Sequence, residues 1–194
     1  MMDFARQLAQ YKPFNQQEEK DKELILSLLK EKGDALFERS NAYAHMTACA
    51  WVVNLQRDKI LLCYHNLFDS WSWLGGHADG ERDLLKVALK EVEEESGCLA
   101  RPLSEQIFSV ESLTVDGHEK NGSYVSSHLH LNATYLLEAD DLLPIRCKID
   151  ENSAVGWFGI EEIYAISTEP WFVKRIYRKL NTRLAMFIDQ EKRR

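Results

Sequence analysis

Three glutamates near the middle of the chain have the spacing of a metal site. Glu91, Glu94 and Glu95 stand three and four residues apart, so on an α-helix their side chains share one face. Carboxylates this close repel one another on an exposed helix, and a divalent cation removes the repulsion. Hard oxygen ligands of this kind suit Mg²⁺ or Mn²⁺. The spacing therefore predicts a helix whose acidic side holds a divalent cation.

The residues around these glutamates predict the helix itself and a glycine-rich approach to it. Gly97 stands where a C-terminal cap glycine belongs. Upstream, Gly75, Gly76 and Gly80 allow the backbone to turn tightly and to approach a ligand closely. The predicted core-facing stripe is Leu85, Ala88 and Val92, with Leu84 and Leu89 beside it. We therefore expect a loop and then a helix with one solvated acidic side and one apolar side.

The stretch 75–98 resembles the Nudix box, G-x5-E-x7-R-E-U-x-E-E-x-G-U, in which U is a bulky apolar residue. At roughly 7% per position for Gly or Glu, five such matches at one register arise by chance on the order of once in a million. The positions that match are Gly76, Glu91, Val92, Glu94, Glu95, Gly97 and Cys98. The chain is therefore similar to the Nudix hydrolase family.

Two positions depart from the Nudix box. Lys90 stands in place of the box arginine, which keeps the charge but loses the bidentate fork of a guanidinium. Glu81 lies one residue before the position of the first box glutamate, and Arg82 holds that position. A shift of one residue turns a helical side chain by about 100°. The role of Glu81 is therefore left open.

The order of the predicted elements agrees with the fold that the resemblance implies. Strands, a helix, more strands and a closing helix favour a layered α/β domain. The resemblance implies an α/β fold of the α+β type, in which a mixed curved sheet is sandwiched between helices. We expect an N-terminal helical extension at residues 1–43 and a Nudix domain, including a C-terminal helix, at residues 44–194.

The resemblance also implies hydrolysis of the pyrophosphate bond in a nucleoside diphosphate linked to another moiety, with Mg²⁺ or Mn²⁺ as cofactor. By match to the box, Glu94 and Glu95 would be direct metal ligands, and Glu91 a ligand or the base acting through water. The Gly75 carbonyl would be a further ligand, and Lys90 would orient the acidic cluster. Many relatives place the general base outside the box, and the candidates for it are Glu119, Glu138 and Glu151.

Two other functions of the same fold stay open as alternatives. A Nudix-fold module could bind a nucleotide without cleaving it, and its usual mark is the loss of box glutamates. An isomerase of the isopentenyl-diphosphate type shares the fold and a Trp-rich approach like Trp71 and Trp73. That enzyme needs a cysteine just before its Gly-His pair, whereas Leu74 and Gly75 precede Gly76-His77 here. The hydrolase is therefore the favoured interpretation.

The composition limits the class of partner. The 194 residues include 24 Lys+Arg against 31 Asp+Glu, a net charge of −7, which argues against stable nucleic-acid binding. The Nudix resemblance implies a small nucleotide-like diphosphate as the partner. No apolar run near 18 residues and no signal-peptide pattern is present, so we expect a soluble cytoplasmic protein without a membrane partner. The cysteines lack metal-site spacing and are expected to be reduced and buried: Cys49, Cys63, Cys98 and Cys147.

The clearest strand pattern, at residues 124–138, has one polar face, and residues 106–115 predict its neighbour. The polar face carries Ser126, His128, His130, Asn132 and Thr134. His128, His130 and Asn132 would suit a cleft that binds a base or a sugar, although such a face can also simply be solvated. A metal site at His128 and His130 is less favoured because no third ligand is evident.

The N-terminal half predicts a helix and two further strands. The helix begins with a capping box at Asn15 and Glu18, ends at Gly33 and has the apolar stripe Leu24, Ile25, Leu28 and Leu29. It would pack on its own domain, and a partner or homodimer surface is the alternative. Residues 47–55 and 59–65 predict a hairpin with its turn at 56–58, and residues 71–74 a third short strand. His45 precedes the hairpin and is either structural or in contact with substrate.

The C-terminal part predicts a strand at residues 154–158, a short helix at 161–165 and a long helix. Ser167 or Thr168 would cap the long helix, with Pro170 in its first turn. Its predicted stripe is Phe172, Ile176, Leu180 and either Leu184 or Phe187. The basic side chains around the stripe could meet phosphates but more often form a solvated face, and they are Lys174, Arg175, Arg178, Lys179 and Arg183.

Overall fold

The structure is a computed structural model that describes residues 4–120, 122–148 and 152–193. The helices are α1 (Phe4–Gln10), α2 (Gln16–Lys32), α3 (Leu84–Ser96), α4 (Ile163–Ile166), α5 (Pro170–Phe172) and α6 (Arg178–Glu191). A 3₁₀ turn over Gly33–Phe37 follows α2, and a π-helical turn over Val173–Tyr177 joins α5 to α6. The predicted α+β class is confirmed.

The strands form one large sheet and one small hairpin. They are β1 (Ala44–Val53), β2 (Lys59–His65), β3 (Ser70–Ser72), β4 (Leu74–His77), β5 (Arg101–Pro102), β6 (Ser109–Val115), β7 (His118–Lys120), β8 (Ser123–Val125), β9 (His128–Glu138) and β10 (Asn152–Gly159). The main path of the large sheet runs β10-β2-β1-β9-β5, with β3 on β2, β4 on β1 and β6 on β9, while β7 pairs only with β8.

The chain divides into two compact units. The first unit comprises Met1–Ala50, Gly75–Glu91 and Pro102–Leu136, and the second comprises Trp51–Leu74, Val92–Arg101 and Leu137–Arg194. In the second unit Tyr177 stacks on Trp51 with ring centroids 5.8 Å apart, and its hydroxyl lies 3.0 Å from that of Ser72. The predicted division at residues 43 and 44 stays a prediction.

The β1–β2 hairpin is confirmed, but β1 begins earlier than predicted. Asn54 organises the turn, because its Oδ1 accepts the N–H groups of Asp58 and Lys59 at 3.0 Å each. Arg57 adopts a positive φ of 59° in this turn. His45 lies inside β1, whose residues are buried throughout, so its predicted position outside the strand is wrong.

The box glycines lie in a strand and not in a loop, which corrects a second expectation. The predicted strand at residues 71–74 is replaced by two short strands, with β3 paired to β2 and β4 to β1. A Cβ at Gly75 would stand only 2.5 Å from the Ala48 carbonyl oxygen on β1. Glycine is therefore required at this position because the backbones of β4 and β1 approach so closely. Gly80 forms the expected turn, with φ at 87°.

Strands β6 and β9 are antiparallel neighbours, as predicted. Leu113 is paired with His130, and Glu111 with Asn132. The predicted long strand is interrupted at residues 126–127 and divides into β8 and β9. The connection between β6 and β9 itself folds back as the β7–β8 hairpin.

Helix α2 has the predicted ends and only part of the predicted stripe. The Asn15 Oδ1 accepts the Glu18 N–H at 3.0 Å, and Gly33 ends the helix with φ at 56°. Ile25 is fully buried, whereas Leu24 is exposed. The helix packs against β6, as expected for a helix that covers its own domain.

Glu18 joins α2 to the sheet through a buried hydrogen-bond network. Its carboxylate accepts the Tyr11 hydroxyl at 2.6 Å and the Phe14 N–H at 2.7 Å. The Ser109 hydroxyl on β6 donates to the other oxygen at 2.8 Å, and it also contacts Glu111. Glu18 thus fills a core position that the capping-box pattern alone did not predict.

The C-terminal helical segment follows the predicted order with two differences. Its N-cap residue is Glu169, not Ser167 or Thr168, and the Glu169 side chain makes no capping hydrogen bond within the described residues. Lys179 is buried, although it was predicted on the solvated basic side. From the predicted stripe, Ile176, Leu180 and Leu184 are buried and Phe172 is half-buried.

All four cysteines are free thiols, and three of them are buried, with Cys147 less so. Burial raises the pKa of the Cys63 thiol, so this side chain is neutral at pH 7 and packs as a small apolar group. None of the described helices has the length and apolarity that a membrane span requires.

The Glu18 network gives a stability prediction. Replacing Glu18 with Ala (Glu18→Ala) leaves the Tyr11 hydroxyl, the Phe14 N–H and the Ser109 hydroxyl without this acceptor, and should lower the free energy of unfolding by about 2 to 3 kcal/mol. The matched control Glu19→Ala removes an exposed carboxylate from the same first turn and should cost less than about 1 kcal/mol. Urea unfolding measures both, and equal losses would show that the network adds nothing to stability.

Candidate functional site

Two acidic residues organise the start of helix α3. The Asp83 Oδ1 accepts the Lys86 N–H at 3.2 Å, as an N-cap does. Glu81 accepts the N–H groups of Arg82 and Asp83 at 2.9 and 3.1 Å. The Lys86 ammonium lies 2.5 Å from its other oxygen and lowers the pKa of Glu81. The displaced box glutamate therefore positions the helix start.

The buried side of α3 differs from the predicted one. The apolar residues that it buries are Leu84, Val87, Ala88 and Val92, whereas Leu85 and Leu89 are half-buried. Glu91 is 9% exposed and Glu95 is 4% exposed. The expectation of one solvated acidic side is therefore wrong for these two carboxylates, because they continue the buried side along the helix.

Glu91 is packed against the second glycine of strand β4. A Cβ at Gly76 would lie 2.6 Å from the Glu91 Cδ and 2.7 Å from its Oε2. The missing side chain of Gly76 is therefore what leaves room for this carboxylate. Lys90 Nζ lies 3.4 Å from Glu91 Oε1, and 59% of the Lys90 side chain is exposed. This geometry makes the ion pair a weak one.

The other two glutamates have different surroundings. The Asn152 amide donates to the Glu95 Oε1 at 2.8 Å in a buried position. Glu94 has a side chain 40% exposed and lies 3.9 Å from the Lys148 ammonium. The helix ends as predicted, because the Gly97 N–H donates to the Glu93 carbonyl at 2.8 Å and Gly97 has a φ of 71°.

The donor set of α3 fits a hard divalent cation. Three carboxylates lie along one helix, which supplies the oxygen ligands that Mg²⁺ or Mn²⁺ prefers. Glu91 is held in place by the close contact with Gly76. Glu95 is oriented by an amide that donates to one of its oxygens, as partners of metal-binding carboxylates commonly do.

Four histidines of the first unit form a second group, here named the histidine cluster: His45, His77, His128 and His130. The His45 ring centroid lies 5.0 Å from that of His77 and 4.9 Å from those of His128 and His130. The His77 and His130 centroids are 4.9 Å apart. Sequence reasoning placed His128 and His130 together but missed the other two, because they lie on β1 and β4.

Two members of the histidine cluster, His45 and His130, are uncharged at neutral pH. Burial lowers the pKa of His130 to about 2, and the neighbouring His77, His45 and His128 add to the effect. Burial also lowers the pKa of His45. A neutral imidazole keeps one nitrogen lone pair that can accept a hydrogen bond or bind a metal ion.

Asn132 lies in a different environment from His128 and His130. It is fully buried, and its amide donates to Glu111 at 2.8 Å and to Thr134 at 3.0 Å. The Thr47 hydroxyl donates to its Oδ1 at 3.1 Å. These bonds connect Asn132 to the network around Ser109, and its predicted contact with substrate stays a prediction.

The three candidates for the general base have different positions. Glu138 is buried and paired with the guanidinium groups of Arg57 and Arg101. Glu119 is exposed on β7. Glu151 lies outside the residues that the structure describes. The two ion pairs of Glu138 indicate a structural carboxylate, which leaves Glu119 as the more accessible of the two described candidates.

Comparison with known proteins gives one family and one fold. Residues 44–180 match the family model of the NUDIX domain. A NUDIX-family hydrolase from Clostridium perfringens has a similar structure, with a TM-score of 0.52, 17% identity and coverage of 71% of this chain and 97% of that chain. A NUDIX hydrolase from Nitrosomonas europaea is also similar, with a TM-score of 0.52 and 20% identity. The match covers 71% of this chain and 88% of that chain.

No curated protein matches the sequence. At identities this low, the structural likeness shows the fold alone. The family model, in contrast, matches more than half of the chain and includes α3 and the strands that flank it. Together with the box glutamates, this match shows that the chain belongs to the NUDIX family.

Proposed function

We propose that the protein is a Mg²⁺- or Mn²⁺-dependent pyrophosphohydrolase that cleaves a nucleoside diphosphate linked to another moiety. Membership of the NUDIX family supports hydrolysis of pyrophosphates in general terms. The observation that carries the proposal is the Glu91 carboxylate packed on Gly76, on the helix that also bears Glu94 and Glu95. Three box carboxylates are therefore present on a rigid element.

In this proposal Glu94 and Glu95 are metal ligands, and the Gly75 carbonyl is another. Glu91 is a ligand or the base that acts through water. A bound divalent cation would neutralise the phosphate oxygens and lower the pKa of an attacking water. The chain itself has a net charge of −7, so an anionic diphosphate needs such a cation beside these carboxylates.

Other residues hold the proposed ligands in position. The Asn152 amide restrains Glu95 through the bond to Oε1, and Lys90 restrains Glu91 weakly from the solvent side. Glu81 fixes the start of the helix. Pre-organised ligands of this kind cost little rearrangement when an ion binds.

The substrate contacts of the proposal are less defined. His128 and His130 stay predicted contacts for a base or sugar, and the buried position of Asn132 favours a structural role for that residue. The alternative of a module that binds without cleavage has no support from the box, since its three helical glutamates are present.

Replacing the buried ligand should remove turnover. Glu95→Gln keeps the shape of the side chain but removes its charge, and Mg²⁺-dependent turnover should fall on the order of 100-fold or more. The control Glu93→Gln, an exposed position of the same helix, should stay within about twofold. The assay is a screen of nucleoside diphosphate derivatives with phosphatase-coupled phosphate release. Full activity of Glu95→Gln would contradict the ligand assignment.

Filling the space beside Glu91 should have a different effect. Gly76→Ala places a methyl group 2.6 Å from the Glu91 Cδ, so either the carboxylate or β4 must move, at about 1 to 3 kcal/mol of unfolding free energy. Turnover should fall with it. In the control Gly159→Ala the new atom lies 3.4 Å from its nearest neighbour, and stability should change by less than about 0.5 kcal/mol. Wild-type stability and turnover of Gly76→Ala would refute the crowding argument.

Lys90→Ala should be milder than Glu95→Gln. The lysine is largely exposed and 3.4 Å from Glu91, so its loss should reduce turnover by less than about tenfold. Lys86→Ala removes another lysine of α3, paired with Glu81, and should leave turnover near the wild-type value. A loss at Lys90 as large as that at Glu95 would assign the lysine a direct part in the reaction. The same kinetic assay measures both variants.

A further inference from the structure

Backbone carbonyls orient two rings of the histidine cluster, whose nitrogens are not part of the cation site proposed at α3. The His45 Nδ1 lies 3.1 Å from the Asn41 carbonyl oxygen. A carbonyl can only accept a hydrogen bond, so this nitrogen carries the hydrogen. In the neutral ring the Nε2 is then the nitrogen with the free lone pair.

The Nε2 of His45 has no hydrogen-bond partner among the described residues. His45 is only 4% exposed, so bulk water does not solvate this nitrogen. Buried polar atoms are nearly always paired, so the His45 Nε2 is open to a bound water or ion. This position could not be predicted from the sequence, because His45 stands far from the other clustered histidines in the chain.

His128 repeats the arrangement on strand β9. Its Nδ1 lies 2.8 Å from the Ser126 carbonyl oxygen, so in the neutral ring the Nε2 is again the nitrogen with the lone pair. That Nε2 lies 3.2 Å from the Nε2 of His130, so without an ion the His130 Nε2–H donates to it, and binding an ion requires the His130 hydrogen to move to Nδ1. Histidines that bind metals commonly donate the other ring N–H to a backbone carbonyl or carboxylate, which fixes the ring and the tautomer.

The three rings are close enough to share one ion. One ring nitrogen from each of His45, His128 and His130 lies within 4.8 Å of the other two. In a tetrahedral site with Zn–N bonds of about 2.0 to 2.1 Å, ligand nitrogens are about 3.3 Å apart. The His128–His130 pair already has this separation, and His45 needs a shift of about 1 to 1.5 Å at most to reach it.

We infer that His45, His128 and His130 bind a divalent transition-metal ion of the zinc class, separate from the cation at the α3 carboxylates. Imidazole nitrogen suits Zn²⁺, Co²⁺, Ni²⁺ or Cu²⁺, whereas Mg²⁺ selects oxygen. Three protein ligands leave a fourth position of a tetrahedral ion for water or another ligand atom. His45 is the third ligand, which the spacing of His128 and His130 alone did not reveal.

The site would cross-link two strands of the first unit. His45 belongs to β1, and His128 and His130 belong to β9. An ion bound to the folded state but not to the unfolded chain stabilises the fold by mass action. Zn²⁺ should therefore raise the temperature of unfolding, and EDTA should reverse the change.

The test is Co²⁺ binding to the full chain without a histidine tag, after metal removal by EDTA and in the presence of excess Mg²⁺. The wild type should bind one Co²⁺ per chain with the visible absorption of a tetrahedral nitrogen site, and Zn²⁺ should displace it. His128→Gln and His130→Gln should each weaken Co²⁺ binding at least about tenfold. A third variant, His45→Gln, changes a buried side chain. If it does not fold, His128→Gln and His130→Gln still test the inference, because they change half-buried side chains.

Two control variants separate this site from the proposed active site. His65→Gln removes a histidine of β2 outside the cluster and should bind Co²⁺ as the wild type does. Glu95→Gln should also keep the tetrahedral spectrum, although it loses turnover. The inference is overturned if no saturable Co²⁺ binding occurs, or if binding survives in His128→Gln and His130→Gln but is lost in Glu95→Gln. Circular dichroism and thermal unfolding without metal confirm that each variant is folded.

Discussion

Two missing side chains in strand β4 set the geometry on which the candidate site depends. A Cβ at Gly75 would overlap the backbone of β1, and a Cβ at Gly76 would overlap the Glu91 carboxylate. The overlap at Gly75 is with backbone atoms, which a close-packed interior cannot relieve by small shifts, whereas at Gly76 the Glu91 side chain would have to move. The glycine pair therefore determines both how near β4 lies to β1 and how near Glu91 lies to β4. His77 follows directly, so one of the clustered imidazoles takes its position from the same constraint.

The register between β6 and β9 divides the polar residues of β9 into two groups with different cross-strand partners. Glu111 stands opposite Asn132, and Ser109 stands opposite Thr134, so this half of the face is satisfied by buried hydrogen bonds. The half nearer the start of β9 is opposite Leu113 and Val115, which offer no polar partner. The rings of His128 and His130 contact each other and that of His45 instead. A single alternating pattern in the sequence thus covers two environments.

Local signals in the sequence were enough where one residue or a short run of neighbouring residues decides the outcome. The cap at Asn15, the end of α3 at Gly97 and the β1–β2 turn all belong to this class, and so do the box glutamates that indicated the family. The buried side of α3 was not predictable in the same way, because its leucines fit two overlapping stripes. Which stripe is buried depends on contacts with other elements, such as that between Glu91 and Gly76 of β4. The position of His45 in the cluster was not predictable either, because its neighbours there lie on other strands, β4 and β9.

Strand alternation keeps the two sets of donor atoms apart. Consecutive residues of a strand point to opposite faces, and the Glu91 carboxylate occupies the face of β4 where a Gly76 side chain would be. His77, the next residue, is therefore directed to the other face, where its ring meets His45 and His130. Oxygen donors and nitrogen donors suit different ions. In the two proposals, the carboxylate of Glu91 and the imidazoles would therefore serve different ions from opposite faces of β4.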